Sequence, residues 1–284
     1  MTVSDLDRVW AQQRPFAVDL AYRMLGNIAD AEDVVQEAFV RLLAADLATI
    51  DDVRGWLVVV VSRLCLDQLR SARVRRTDPA AAPEVVPSTP DHADRMTLDD
   101  DIRLALAVVL EHLSPAERSV FILHDVFQFS FETVGTIVGR SPAACRQLAS
   151  RARRRLETEV GPGRFVVEPS EQRMVTERFI AACAVGDLDA LMGVLADGVA
   201  GDVDLGPDYP APPPLAGRER VARQLLGFFG PATGTTLVSE PVAGEPGVVA
   251  FRKHEVAAAM RFTIEGGVIT KIHAVADARR ITGS

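Results

Sequence analysis

A chain of 284 residues has room for two or three domains, and an apolar content of 48% is enough to bury ordinary cores and excludes wholesale disorder. No stretch approaches the roughly 20 uninterrupted apolar residues of a membrane span, and the opening MTVSDLDRVW lacks the basic-then-apolar layout of a secretory leader; a cytoplasmic chain with no membrane insertion is expected. The net charge of −8 argues against nucleic acid as a partner only until its distribution is read. Arg63, Arg70, Arg73, Arg75 and Arg76 fall in one segment relieved by Asp67 alone, and Arg140, Arg146, Arg151, Arg153, Arg154 and Arg155 fall in another with no acid between them. Phosphates respond to the field within about a Debye length, roughly 8–10 Å, and not to the sum over the chain.

In chain order, residues 5–76 read as successive helices. Asp19, Leu20, Tyr22, Met24 and Leu25 belong to an amphipathic segment that Gly26-Asn27 ends. A second helix opens at Asp30, with Val34, Val35, Ala38, Leu42 and Leu43 at helical spacing and Asp30, Glu32 and Asp33 in its first turn, where carboxylates suit the positive end of the helix dipole. A third is expected from about Arg54 to Arg73, with Leu57, Val60, Leu64 and Cys65 packing inward. Residues 77–97 are rich in Pro, Ala and acid without periodicity and read as a flexible linker. Residues 98–158 return to helix, and 161–169 form a second linker. From 170 onward the pattern mixes: helices at 172–184, 188–195 and 217–229 around a Gly/Pro-rich loop at 201–214, then strands at 235–238, 248–252, 256–264 and 268–274. The last two strands are joined by Glu265-Gly266-Gly267, a hairpin signal.

Cys65, Cys145 and Cys183 lie far apart in apolar patterns, which fits small core hydrophobes and neither a disulfide framework nor a zinc site. The five histidines show no metal-ligand spacing, and no cofactor is expected.

The strongest local pattern lies at 131–156. A helix with Val134, Ile137 and Val138 on its apolar face ends at Gly139; Ser141 can cap the next helix and Pro142 fits its first position. That second helix would bury Cys145, Leu148 or Ala149, Ala152 and Leu156. Ala143, Ala144, Arg146, Gln147, Ser150, Arg151 and Arg154 are left facing outward. A buried back with an Arg/Gln/Ser front is what a major-groove reader in a helix-turn-helix requires.

The string LSPAERSVF, then FSFETVG, then GRSPAACRQLASRARRRL resembles region 4 of bacterial extracytoplasmic-function (ECF) RNA polymerase sigma factors. Independently, DAEDVVQEAFVRL (30–42) and RGWLVVVVSRLCLDQLRSARVRR (54–76) resemble region 2. The resemblance covers about residues 10–158 and implies core RNA polymerase, through its β′ clamp and β flap, and promoter DNA as partners. Asp30, Glu32, Asp33, Gln36, Glu37 and Arg41 would meet the polymerase. Trp56, Arg63, Arg70 and Arg73 would engage the −10 element, with a base-capturing loop at about 48–53, and the outward residues of 142–156 would read the −35 element.

Residues 170–284, through FIAACAVGDLDALMGVLADGV and the strands that follow, resemble the SnoaL-type, NTF2-like α+β fold. The whole chain then resembles the sigma factors of the SigJ and SigI type: two all-α sigma domains (5–76 and 98–158) plus a C-terminal NTF2-like regulatory domain. Where those sigma factors carry D-G-G-G-type and N-P-x-K-L-type segments, this chain has Asp204-Leu205-Gly206-Pro207-Asp208 and Ala276-Asp277-Ala278-Arg279-Arg280. A small-molecule ligand of this domain is expected. Asp202, Asp204 and His273 are the side chains a catalytic pocket could draw on, but no partner spacing supports catalysis and no catalytic residue is assigned. The alternatives are a free-standing helix-turn-helix regulator with a ligand-sensing domain, and an enzyme with a helical partner module.

Overall fold

The computed structural model describes residues 3–45, 49–77, 113–159, 170–206, 209–242 and 244–277. The linker at 77–97 (from residue 78), the stretch 98–112, the second linker at 161–169, and parts of the 48–53, 204–208 and 276–280 segments lie outside the described residues, as do the side chains of Arg73, Arg75 and Arg76. The chain separates into two compact units, one formed by Arg23–Pro162 and one by Met1–Tyr22 together with Gly163–Ser284.

In the first unit, α2 (Ile28–Ala44) starts two residues before the expected Asp30, because the Asn27 side chain accepts hydrogen bonds from the amides of Ala29 and Asp30 at 2.9 and 3.2 Å. It buries Val34, Val35, Ala38 and Leu42 as the spacing requires. Leu43 departs from expectation: it is 58% exposed, beside Val40 at 59%. One residue beyond Leu42 is a 100° turn of the helix, which carries position 43 round to the face of Gln36 and Val40. Helix α3 (Val53–Thr77) buries Leu57, Val58, Val61, Cys65 and Leu66, whereas Val60 and Leu64 are only half-buried. Helix α4 (Pro115–Phe121) continues as a π-helical turn, Ile122–Val126. Helices α5 (Phe131–Val138) and α6 (Pro142–Glu159) follow.

The second unit holds a six-stranded mixed sheet in the order β2-β1-β6-β5-β4-β3. Its strands are β1 (Leu195–Asp204), β2 (Leu215–Ala216), β3 (Thr235–Ser239), β4 (Gly247–Arg252), β5 (Glu255–Glu265) and β6 (Val268–Ala276). Among the described strands, only β1 and β6 pair in parallel. Helices α7 (Ser170–Val185), α8 (Leu188–Met192) and α9 (Arg218–Phe229) share one core with the sheet, in which the rings of Phe179 and Phe262 meet at 4.9 Å. This is the α+β arrangement expected of 170–284. The hairpin at Gly266-Gly267 forms, both glycines taking the positive φ (58° and 76°) that its two-residue turn needs.

Strand β1 corrects the sequence reading, which placed a helix to 195 and a loop from 201. With Gly198 and Gly201 it has weak side-chain patterning, and its position comes from backbone pairing with β6 on one side and β2 on the other. The turn between β4 and β5 also carries no glycine: Lys253 and His254 both take positive φ, 51° and 65°. Such backbone is strained for ordinary side chains and tolerated by Asn. Lys253→Asn is expected to raise stability by about 0.5–1 kcal/mol, read as a higher thermal midpoint. An unchanged or lower midpoint would show that the lysine stem contributes as much as the turn costs.

Helix α1 (Val3–Leu25) joins the second unit through its residues up to Tyr22. The buried carboxylate of Asp19 accepts the backbone N–H of Ser239, on edge strand β3, at 2.7 Å. Arg14 donates to Thr236 Oγ1 at 3.4 Å, and the Tyr22 ring lies 5.3 Å from that of Phe251. Thr236 and Phe251 are paired across β3 and β4, so these contacts fall on the sheet face opposite Leu237 and the α7–α9 core.

Candidate nucleic-acid interface

The turn between α5 and α6 is built by small residues. Ser130 caps α5 by accepting the amide of Thr133 at 3.2 Å; Gly139 closes it in the left-handed region with φ 71°, its N–H on the carbonyl of Gly135 at 2.9 Å. A Cβ on Gly135 would stand 2.7 Å from the Arg140 carbonyl oxygen, so the turn requires glycine there too. Ser141 Oγ accepts the amide of Ala144 at 3.2 Å and Pro142 opens α6, as the sequence indicates.

Helix α6 then buries Cys145, Ala149, Ala152 and Leu156, with Leu148 half-buried. Ala143, Arg146, Gln147, Ser150, Arg151 and Arg154 are exposed, and Ala144 is half-buried at the turn. The arginines of this helix divide. Arg153 donates to Asp125 at 2.6 Å and Arg155 to Glu117 at 3.2 Å, so these two brace the fold. Arg146 lies 3.4 Å from Glu132 and its guanidinium sits 5.4 Å from the Phe131 ring centroid. Arg151 and Arg154 stand on the open face with it.

Sequence reasoning missed Glu117. It is buried, caps α4 in a reciprocal arrangement with Ser114 (Ser114 Oγ donates to it at 2.6 Å, and its own amide reaches that oxygen at 3.3 Å), and receives Arg155. The S-x-x-E spacing of Ser114-Pro115-Ala116-Glu117 is the signal that could have found it. His124 was likewise passed over: Nδ1 lies 2.8 Å from the Phe129 carbonyl oxygen and the ring stacks on Phe131 at 3.7 Å, holding the entry to α5.

In the first helical region, Asp33, Gln36, Glu37 and Arg41 are exposed on α2, Asp30 and Glu32 half-buried. Glu37 and Arg41 pair at 2.8 Å. Val40 and Leu43 continue the same stripe as an exposed apolar edge. On α3, Trp56 is half-buried. Arg63 is exposed and donates to the Thr136 carbonyl of α5 at 3.0 Å, and Arg70 lies 3.6 Å from Asp67.

The three cysteines are free and buried. Burial pushes all three thiols up, that of Cys183 to about 12, and at Cys145 nearby Arg140 pulls in the opposite direction. No helix among the described residues is long and apolar enough to cross a membrane.

The C-terminal unit contains a cavity of about 420 Å³, walled by apolar side chains between the sheet and α9. The candidate titratable groups are not gathered in it. Asp204 accepts the Gly206 amide at 2.8 Å as a solvated strand end. Asp202 touches the cavity, but its carboxylate is engaged by His273 Nδ1 and, at 3.8 Å, by Lys271, and neither of those lines it. Ile272 and Ala274 do line it, so strand alternation turns the intervening His273 to the other face.

Two family models match: Sigma-70 region 2 over residues 10–75 and Sigma-70 region 4 over residues 103–156. The probable ECF RNA polymerase sigma factor SigI of Mycobacterium tuberculosis is 46% identical over 271 residues, covering 93% of this chain and 90% of the relative. The ECF RNA polymerase sigma factor SigJ of the same organism is 36% identical over 304 residues, covering 100% and 94%. The crystal structure of Mycobacterium tuberculosis SigJ matches over 100% of this chain and 99% of its own at 32% identity, with a TM-score of 0.39. With sigma regions 2 and 4 in order and near full-length identity to such relatives, the chain belongs to the extracytoplasmic-function RNA polymerase sigma factors.

Proposed function

We propose that α6 reads the −35 element through Arg146, Gln147, Ser150, Arg151 and Arg154, with Ala143 and Ala144 leaving room for the bases. Helix α3 works on the −10 element with Trp56, Arg63, Arg70 and Arg73. The face of Asp30, Glu32, Asp33, Gln36, Glu37 and Arg41 docks on the β′ clamp of core RNA polymerase, and region 4 meets the β flap. The C-terminal unit regulates initiation and takes a small ligand. The chain catalyses nothing itself, needs no cofactor, and acts in the cytoplasm.

The observation that carries the reading is the division of α6 into a closed back and an open Arg/Gln/Ser front. Arg146→Ala or Arg151→Ala is expected to weaken −35 binding by about 1–3 kcal/mol where the side chain reaches a base edge. For a phosphate contact the loss is the same on every sequence and the salt slope falls by about one unit. Because Glu132 competes for Arg146, Glu132→Gln should tighten binding in the same assay. Unchanged binding in both arginine variants, with circular dichroism intact, would move the reader elsewhere.

Regulation is tested by run-off transcription with purified core, comparing the full chain with truncations after Leu156 and after Pro169. Equal activity across polymerase concentrations would remove the C-terminal unit from the control of initiation.

A further inference from the structure

The cavity in the C-terminal unit has a definite chemical asymmetry. Its body is hydrocarbon: Val203, Leu225, Phe229, Met260, Ile272 and Ala274 all face it. Among the described residues, the polar ones that line it are Asp202, Arg220 and Gln224. Asp202 is engaged by His273 and Lys271, outside the chamber. Arg220 and Gln224 are four apart on α9, hence neighbours on one helix face, and both are exposed, which places them at the mouth.

The charges around that mouth are sorted. Arg218 is held by Asp197 at 2.7 Å and Arg223 by Glu219 at 2.6 Å. Arg220, between them, has no carboxylate partner among the described residues. It stands in the first turn of α9, whose cap residue Gly217 offers no side-chain acceptor to the leading amides. A helix start adds positive potential at the same place. The described lining is mostly apolar with a few polar groups at one end, the make-up of a binding site.

We propose that this cavity binds an amphipathic carboxylate, its aliphatic chain filling the chamber and its headgroup held at the mouth by Arg220, with Gln224 as a second donor. A guanidinium meets a carboxylate with two parallel N–H donors, a match that an alcohol or an ammonium cannot reproduce. Size sets the chain length. A chamber of about 420 Å³ lies in the range of small-ligand pockets, roughly 300–1,000 Å³, and suits a medium-length chain such as that of dodecanoate. The proposal rests on the reading of the C-terminal unit as a ligand-taking module, and its test separates binding from regulation.

The probe is dodecanoate, below its micellar concentration, titrated into the full chain by calorimetry, with decan-1-ol and dodecyltrimethylammonium in parallel. Methionine-methyl NMR reports location through Met260. Dodecanoate is expected to bind once per chain, to shift the Met260 methyl, and to bind more tightly than the cation. Arg220→Met should weaken dodecanoate about five- to tenfold and leave decan-1-ol unchanged; Arg220→Lys should restore part of the loss. Ala274→Phe, which fills the chamber, should remove both ligands. No saturable binding, binding without a Met260 shift, or an Arg220→Met variant that holds dodecanoate as tightly as the parent would each overturn the proposal, whether or not Ala274→Phe folds. Run-off transcription with and without dodecanoate then tests regulation alone: binding with no effect on transcripts leaves the site standing and removes its regulatory role.

Discussion

Charge reversal at Asp33 and Glu37 is expected to abolish co-purification with polymerase core while leaving binding to isolated −35 DNA intact. Both side chains are exposed on α2, on the stripe that continues into Val40 and Leu43, so they take no part in holding the helix to its neighbours. Glu37 does pair with Arg41, but side chains about half exposed (50% and 52%) make that i,i+4 pair worth only about 0.3–0.5 kcal/mol. Folding should therefore survive. At an interface the account differs, because a reversed charge both loses an attraction and adds a repulsion, each reversal costing on the order of 2–5 kcal/mol once water is excluded. Two reversals exceed what a moderate complex can absorb. Recovery of Asp33→Lys/Glu37→Lys with core at the parent yield would place the docking surface on another face. A loss of −35 binding in the same protein would point to misfolding instead.

The second large effect is expected at Asp19. Its carboxylate is 4% exposed and accepts the Ser239 amide of edge strand β3. In Asp19→Ala that N–H stays buried with its acceptor gone, a loss of about 1–3 kcal/mol, and more because the acceptor is charged. Asp19→Asn keeps an acceptor oxygen and should lose less. The expected readout is faster hydrogen exchange through Thr235–Ser239 in Asp19→Ala, with β5 and β6 little changed. Equal protection of β3 in both variants and the parent would mean that the strand is held by β4 and the core alone.

Much of the α5–turn–α6 geometry was legible because its signals are local. Gly139, Ser141 and Pro142 specify a turn and a start whatever surrounds them, and the spacing of Cys145, Ala149, Ala152 and Leu156 then fixes which residues face out. The Gly266-Gly267 hairpin was readable for the same reason. What escaped depends on distant partners. Arg153 and Arg155 look in sequence like members of the phosphate-binding cluster, and only the arrival of Asp125 and Glu117 from α4 and its π-helical turn takes them out of it. Arg63 meets a carbonyl of α5, which no pattern in α3 announces. Strand β1 has two glycines and little alternation, and its place comes from a parallel ladder with β6 some 70 residues on, as in the Asp202–His273 register. The Lys253-His254 turn uses residue types that carry no turn signal. Nothing in the amphipathic pattern around Asp19 names its partner, because the edge strand it supports lies 220 positions further on.

That last separation has a consequence for the order in which the protein can be made. Asp19 and Ser239 stand 220 positions apart, so at roughly 5–20 residues per second the ribosome delivers the strand about 10–45 seconds after the helix. Throughout that interval the side of α1 that carries Asp19 and Tyr22 has no sheet to cover it, while the intervening helices are already free to condense. Completion of the second unit thus waits on the synthesis of β3 to β6, and a message truncated before β3 yields a chain whose first helix is left with an apolar side open to chaperones and proteases.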